Sequence, residues 1–405
     1  MRCDIAIIGA GPTGCYSAWE LARLGYDVLL VEEHEQVGEP QHCTGVIGLE
    51  AFEKFDLPRD CIRASMSKAR FYSPAGEWIE IVSGQPQAVI VDRAEFDRAL
   101  AQRAVAAGAG LALGKKATAL RCNEEGAAVC LEGESGGELV KARLCLAATG
   151  AANGLLQQAG LAQRQRWVLG ARVEVDSNHL ECIEIHFGRQ NAPAGFAWVV
   201  PTGNGKARVG MLGPRCSAAQ LRRFIGSDAL ADKVSMNGDK IQCRPIPLGP
   251  CRPSFGTSIM AIGDAAGQVK TTTGGGVYYG LLGAQAAVET ADEAFRKGDF
   301  SARFLSRYER RWMKRIGGEQ RVGMAFRKIG SALPDRQIDA LFRLLKVTGM
   351  SRALSAGAQF DWHAGRTLVA TIAGLAAQAT GLHLLLKGKA CPACPERSRE
   401  ENGQG

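Results

Sequence analysis

No hydrophobic leader opens this chain. Met1-Arg2-Cys3-Asp4 runs straight into the strand-like Ile5–Ile8, so export is not expected. A disulfide framework is missing too. The 13 cysteines are odd in number and scattered, the pattern of free thiols in a reducing cytoplasm. One pair has C-x-x-C spacing, Cys391 and Cys394, but no second pair accompanies it at metal-site spacing. It reads as part of a polar, disordered tail over 391–405. Long uncharged runs are scarce. Thr367–Leu386 is one, yet three Thr, Gln378, His383 and two Gly dilute it. It reads as a buried or interfacial helix rather than a membrane span. Internal repeats and nucleic-acid motifs are also absent, which excludes solenoids and argues against an RNA or DNA partner.

What is present is ordinary globular composition, 46% hydrophobic and 22% charged over 405 residues, enough for two or three domains. The net charge of +8 is local. Between Arg296 and Lys328 eleven Lys/Arg face three acids, so the remainder is neutral in sum. Such a helical basic segment suits anionic lipid headgroups or a phosphorylated substrate, or else is a solvated helix face.

Cys3–Gly9 reads as a buried parallel strand, Pro12–Leu24 as a helix and Asp27–Glu32 as a second strand. The intervening turn is Gly9-x-Gly11-x-x-Gly14. The first glycine permits the turn, the second lets backbone approach a pyrophosphate, and the third lets helix pack on strand. The helix N-terminus then offers N–H groups to phosphate. Glu32, 18 residues past Gly14, suits a ribose hydroxyl pair and disfavours a 2′-phosphate, so FAD or NAD is expected rather than NADP.

The discriminator lies far downstream. Thr257–Ile262 reads as a buried strand, followed by Gly263, Asp264 and a small-residue run ending in Gly274, Gly275 and Gly276. A fixed carboxylate at Asp264 suits the hydroxyls of a ribityl chain. The glycines let backbone approach a flavin ring, and a helix from Val277 would aim its positive end there.

These segments resemble the geranylgeranyl reductase family, within the para-hydroxybenzoate hydroxylase-like FAD fold. The resemblance runs over roughly 4–294. It rests on Gly9–Gly14, Val91-Asp92-Arg93 with Phe96-Asp97, Ala148-Thr149-Gly150 and Gly263–Gly276. It implies that Arg93 also approaches the FAD. It further implies a functional cysteine, Cys43, as proton donor or thiol sensing flavin redox state. Its Pro-x-x-Tyr-x-Trp-x-Phe-Pro motif appears here as Pro193-x-x-Phe196-x-Trp198-x-Val200-Pro201. Phe196, Trp198 and Val200 alternate along a strand, share one face, and would form the wall of an apolar substrate pocket.

The expected fold is α/β, with a Rossmann-like FAD-binding domain (1–66, 92–165 and 254–295) interleaved with a sheet-rich substrate domain (67–91 and 166–253). A helical region (296–390) follows. The expected activity is FAD-dependent reduction of isolated C=C bonds in a polyprenyl chain. The substrate would be a prenyl lipid, prenyl diphosphate or prenylated pigment, at an anionic membrane surface. No second dinucleotide fingerprint occurs, so NAD(P)H visits the flavin transiently or a ferredoxin-like carrier delivers electrons. An FAD monooxygenase or halogenase is the competing enzyme, but a Trp-x-Trp-x-Ile-type halogenase motif is missing. A flavin electron-transfer protein of the quinone-oxidoreductase type would want a C-terminal cysteine cluster, and two cysteines are too few.

Overall fold

The computed structural model describes residues 1–348 apart from 42, 135, 153, 162–165 and 239. The apolar run at 367–386 and the pair Cys391/Cys394 lie outside the described residues.

Arg2–Ile8 is the central strand of the first sheet. Val28–Val31 and then Gly110–Ala112 lie on one side, Gly136–Ala147 and then Ile259–Ala261 on the other, all parallel. The strand order therefore reverses at Arg2–Ile8, and its glycine turn opens at the switch point where α/β sheets bind ligands. Successive residues of this strand enter opposite cores. Ile5 and Ile7 pack with the helices Pro12–Arg23 and Val277–Lys297, whereas Ala6 and Ile8 pack with Leu120, Val129 and Leu156. Burial on both faces explains its continuous apolar sequence.

One part of this sheet was not legible. Lys116–Asn123, Gly126–Gly133 and the outer half of Gly136–Ala147 form an antiparallel meander that extends the parallel core. Its strands alternate polar and apolar with Leu139 left exposed, so the sequence signal was weak.

The second large sheet runs Val234–Ser235, Arg166–Ser177, Lys206–Gly213, Phe196–Gly203, Ile183–His186, Lys68–Tyr72, Trp78–Val82, with Gln242–Leu248 also paired to Arg166–Ser177. One face, including Val173, Val199 and Val209, packs on the short helix Ala218–Ile225. The other face looks toward the first domain. Ala88–Val91, expected with this sheet, belongs instead to a separate three-stranded sheet with Val46–Gly48 and Ile62–Met66. Its four residues are all buried, so their uniform apolarity carried no hint of which partner they pair with.

The basic window forms most of one 31-residue helix, Ala302–Ala332. Part of its charge is internal. Arg307 and Arg311 pair with Glu293, and Arg315 pairs with Glu289, fastening this helix to Val277–Lys297. A last described helix, Asp335–Val347, turns Ile338, Leu341, Phe342 and Leu345 onto the outer end of the second sheet.

Candidate active site

Gly9 adopts φ +105°, a conformation only glycine takes cheaply, and a Cβ there would lie 2.4 Å from the Ala148 carbonyl oxygen. A Cβ on Gly14 would lie 2.0 Å from the Gly9 carbonyl oxygen. These two glycines are required by the protein's own packing. Gly11 is different. A Cβ there would meet nothing within 4 Å, because the residue borders a cavity. It caps the Pro12–Arg23 helix without a side chain, leaving first-turn N–H groups for an anion. Glu32 borders the same cavity, its carboxylate accepting from the Ala10 N–H at 2.9 Å and the His34 N–H at 3.1 Å.

The distant loop closes on this turn from the other side. Gly263–Ala266 forms a 3₁₀ turn directly after Ile259–Ala261. Asp264 points its carboxyl at Gly276, where a Cβ would fall 2.4 Å from Oδ1, so glycine alone fits beneath it. Burial pushes the Asp264 carboxyl up to about 6, while Arg93 and Arg244 hold it down from going further. The helix Val277–Lys297 starts at Gly276 without a side-chain cap. Thr273–Gly276 line the cavity with Asp264.

Residues that sequence reading missed hold this loop. Gln268 accepts from the Gly263 N–H at 2.7 Å and donates to the Tyr308 hydroxyl, which donates to the Ala261 carbonyl. Gln320 donates to the carbonyls of Gly267 and Val269 at 2.6 and 3.1 Å. Tyr308 and Gln320 sit on the long basic helix, whose charge masked its buried face.

Cys43 lies in the segment after the second strand and borders the cavity beside Arg93. Its Sγ accepts from the Gly45 N–H at 3.4 Å. Arg93 grips Asp97 with two nitrogens, at 2.9 to 3.2 Å. Burial works against the Arg93 charge, but Asp97 and Cys43 outweigh it and keep the guanidinium protonated. Two further arginines, unnoticed in the sequence, reach across from the second sheet. Arg172 donates to the carbonyls of Cys43 and Gln41 at 2.8 and 3.1 Å. Arg208 donates to those of Thr44 and Val91 at 2.8 and 3.0 Å. Both are nearly fully buried, and an arginine alternating with Val173 or Val209 on a strand was their only signal.

Beyond Cys43 the cavity becomes apolar. Phe196, Trp198 and Val200 line it together, while Ala197 and Val199 face the opposite core. The Trp198 ring lies over Gly210, where a Cβ would come within 2.3 Å of it. Its Nε1 is buried without a partner among the described residues. The cavity, about 910 Å³, is continuous from Gly11 to Phe342 and Leu345 on the last described helix. That wall was not expected from the sequence.

Residues 2–231 match the family described as FAD binding domain. The chain is 32% identical over 369 residues to digeranylgeranylglycerophospholipid reductase 2 of Methanothermobacter thermautotrophicus, covering 87% of this chain and 94% of that one. The chain belongs to the geranylgeranyl reductase family. Its fold is that of a geranylgeranyl bacteriochlorophyll reductase-like protein from Thermoplasma acidophilum, with TM-score 0.79 and 23% identity over 84% of this chain and 91% of that one. A flavin-dependent brominase triple mutant shares the fold at TM-score 0.70 and 17% identity, covering 93% of this chain and 100% of that one.

This reductase is thus an FAD-dependent oxidoreductase, and its residues fit the cofactor. Gly11 leaves backbone open where a pyrophosphate would lie, and Asp264 and Gly276 leave a carboxylate and a bare helix start where a ribityl chain and ring would lie.

Proposed function

We propose that this reductase saturates isolated C=C bonds in the geranylgeranyl chains of a membrane lipid or its prenyl precursor. The carrying observation is the single cavity that leads from the glycine turn, past Cys43, into the slot lined by Trp198 and Val200. FAD, when bound and reduced, supplies the hydride that an unpolarised alkene requires. The chain's own residues supply the rest. Phe196, Trp198 and Val200 hold the alkene against the ring position and exclude water. Cys43 Sγ carries the proton for the carbon opposite the hydride, so that two hydrogens are added per bond. Arg172 and Arg208 fix the backbone around Cys43, while Arg93 is held by Asp97 beside it. The apolar wall that includes Ile183, Ile185 and Phe342 has the character for the remaining isoprene units.

Phe196 stands where the family motif has Tyr, and Val200 where it has Phe. The first leaves the slot without a hydroxyl and the second widens it, which suits an apolar chain. Anaerobic incubation of dithionite-reduced enzyme with geranylgeranyl lipids and diphosphates, followed by mass spectrometry, tests the reading. Products heavier by two hydrogens per bond are expected, and unchanged substrates throughout would refute it. NAD(P)H or a ferredoxin-like carrier serves as the physiological donor in this scheme. Anaerobic flavin bleaching by each tells them apart.

We also place the enzyme at an anionic membrane surface. No helix among the described residues is long and apolar enough to cross a membrane. Arg303, Arg310, Lys314, Arg321 and Lys328 are all exposed and share one side of the long helix. Replacing Arg310, Lys314 and Arg321 by Glu should abolish salt-sensitive co-sedimentation with anionic liposomes while leaving turnover of detergent-dispersed lipid intact. Unchanged binding would contradict this placement.

A further inference from the structure

Four buried side-chain nitrogen or oxygen atoms lack a hydrogen-bond partner among the described residues, and two of them, Nε and Nη2, belong to Arg327. Arg327 lies on the buried side of the long helix. Gly323, one turn earlier, abuts Thr271 and Thr272 of the cofactor loop, and Met324 packs with Phe196, Trp198 and Leu212. Arg327 itself borders the cavity, as do its neighbours Phe326 and Ile329.

Its surroundings do not answer its charge. Cys216 is the titratable group nearest in effect, and burial pushes that thiol up to about 11, so it is neutral at pH 7. Desolvation accordingly lowers the affinity of Arg327 for its proton. Three of the cavity's other cations are engaged, and Arg189 and Arg244 are exposed to solvent. Lys68 pairs with Glu80 and Glu181, Arg93 with Asp97, and Arg172 with backbone carbonyls. A planar guanidinium with two buried, unpartnered nitrogens is costly to maintain and is shaped for a phosphate.

We infer that Arg327 binds the phosphate ester of an anionic prenyl substrate, whether a diphosphate or a glycerophospholipid, with the chain lying along the Trp198 slot. This rests on the proposed reductase function and adds the polar end of the substrate. Its place one helical turn beyond the cofactor loop puts the first isoprene unit, as well as distal ones, within reach of reduction.

The test uses the full-length holoenzyme reduced with dithionite, so that no nucleotide donor contributes. Arg327→Met should raise KM roughly 10- to 100-fold for geranylgeranyl diphosphate and for digeranylgeranylglycerophosphate. It should change KM for neutral geranylgeraniol less than about twofold, with kcat preserved on all three. Arg327→Lys should recover part of the loss, because charge returns without the planar fork. The melting temperature of Arg327→Met should hold or rise, since an unpaired buried charge is removed. Binding of inorganic pyrophosphate, measured by calorimetry, should weaken at least about tenfold in Arg327→Met. Equal losses on the neutral alcohol, or a clear fall in melting temperature, would overturn the inference, as either gives Arg327 a structural partner. Weakened pyrophosphate binding with unchanged lipid KM would also overturn it, in favour of a free phosphate ligand. Should wild type reduce none of the three substrates, the functional reading fails by itself, and the pyrophosphate titration still decides Arg327.

Discussion

Gly11 and Gly14 sit three residues apart in one fingerprint but do unlike work. Gly14 is fixed by protein backbone 2.0 Å from where a Cβ would be, whereas Gly11 meets no protein atom. Gly11→Val should therefore fold with near wild-type melting yet purify with little FAD. Gly14→Ala should lose folded yield, because the Gly9 carbonyl cannot move without the turn. A Gly11→Val protein saturated with FAD would contradict the pyrophosphate placement. For Cys43, Cys43→Ala should cut alkene turnover about 100-fold or more while FAD stays bound. Full activity would remove its proposed role.

Asp264 supplies a pH test with a defined sign. Its folded-state carboxyl is raised by burial to about 6, above the ordinary value of 3.8. In the apoprotein the folded state thus holds the proton more tightly than the unfolded one. Its contribution to stability is present below pH 4 and is lost as pH rises toward 6. FAD hydroxyls donating to Asp264 would prefer its ionised form. The apoprotein's affinity for FAD should rise from pH 5 to 7 and level off above. Fluorescence titration across that range checks it, and a flat profile in wild type that matches Asp264→Asn would count against the contact. The glycines, Asp264 and Glu32 were legible in the sequence because each obeys a local rule. Arg172 and Arg208 were not, because the backbone carbonyls of Gln41, Cys43, Thr44 and Val91 that they hold lie more than a hundred residues away, and Arg327 was not, because no protein group among the described residues answers its Nε and Nη2.

At the scale of elements, the Gly263–Gly276 loop is not self-supporting. The long helix clamps it through Gln320, Tyr308 and the close approach of Gly323 to Thr271. Gln320→Leu leaves the carbonyls of Gly267 and Val269 without their donor, at a cost of about 1–3 kcal/mol. It should lower both the melting temperature and FAD affinity, and urea denaturation with a cofactor titration would show it. Loss of stability with unaltered FAD affinity would separate the clamp from the site. The first βαβ unit and the Val277–Lys297 helix were readable from period and glycine punctuation. The Lys116–Ala147 meander was not, because half-exposed antiparallel strands carry a diluted pattern. Nor was the separate pairing of Ala88–Val91, since uniform burial erases any sign of its partners.

For the whole molecule, three bodies of sequence far apart make one cavity. The parallel sheet contributes the glycine turns, the second sheet contributes the aromatic face, and the last described helix lines the apolar end with Phe342 and Leu345. The apolar spacing of Ile338, Leu341, Phe342 and Leu345 marks a helix face in the sequence, but only packing tells which surface it meets. The brominase that shares this architecture at 17% identity is alike in fold alone. Hydride transfer from this cavity to a prenyl alkene is tested by anaerobic single-turnover spectroscopy on the dithionite-reduced enzyme with a geranylgeranyl substrate. One C=C bond should be lost for each flavin reoxidised, with no oxygen present. A flavin that stays reduced until oxygen is admitted, with oxygen then found in the product, would contradict it.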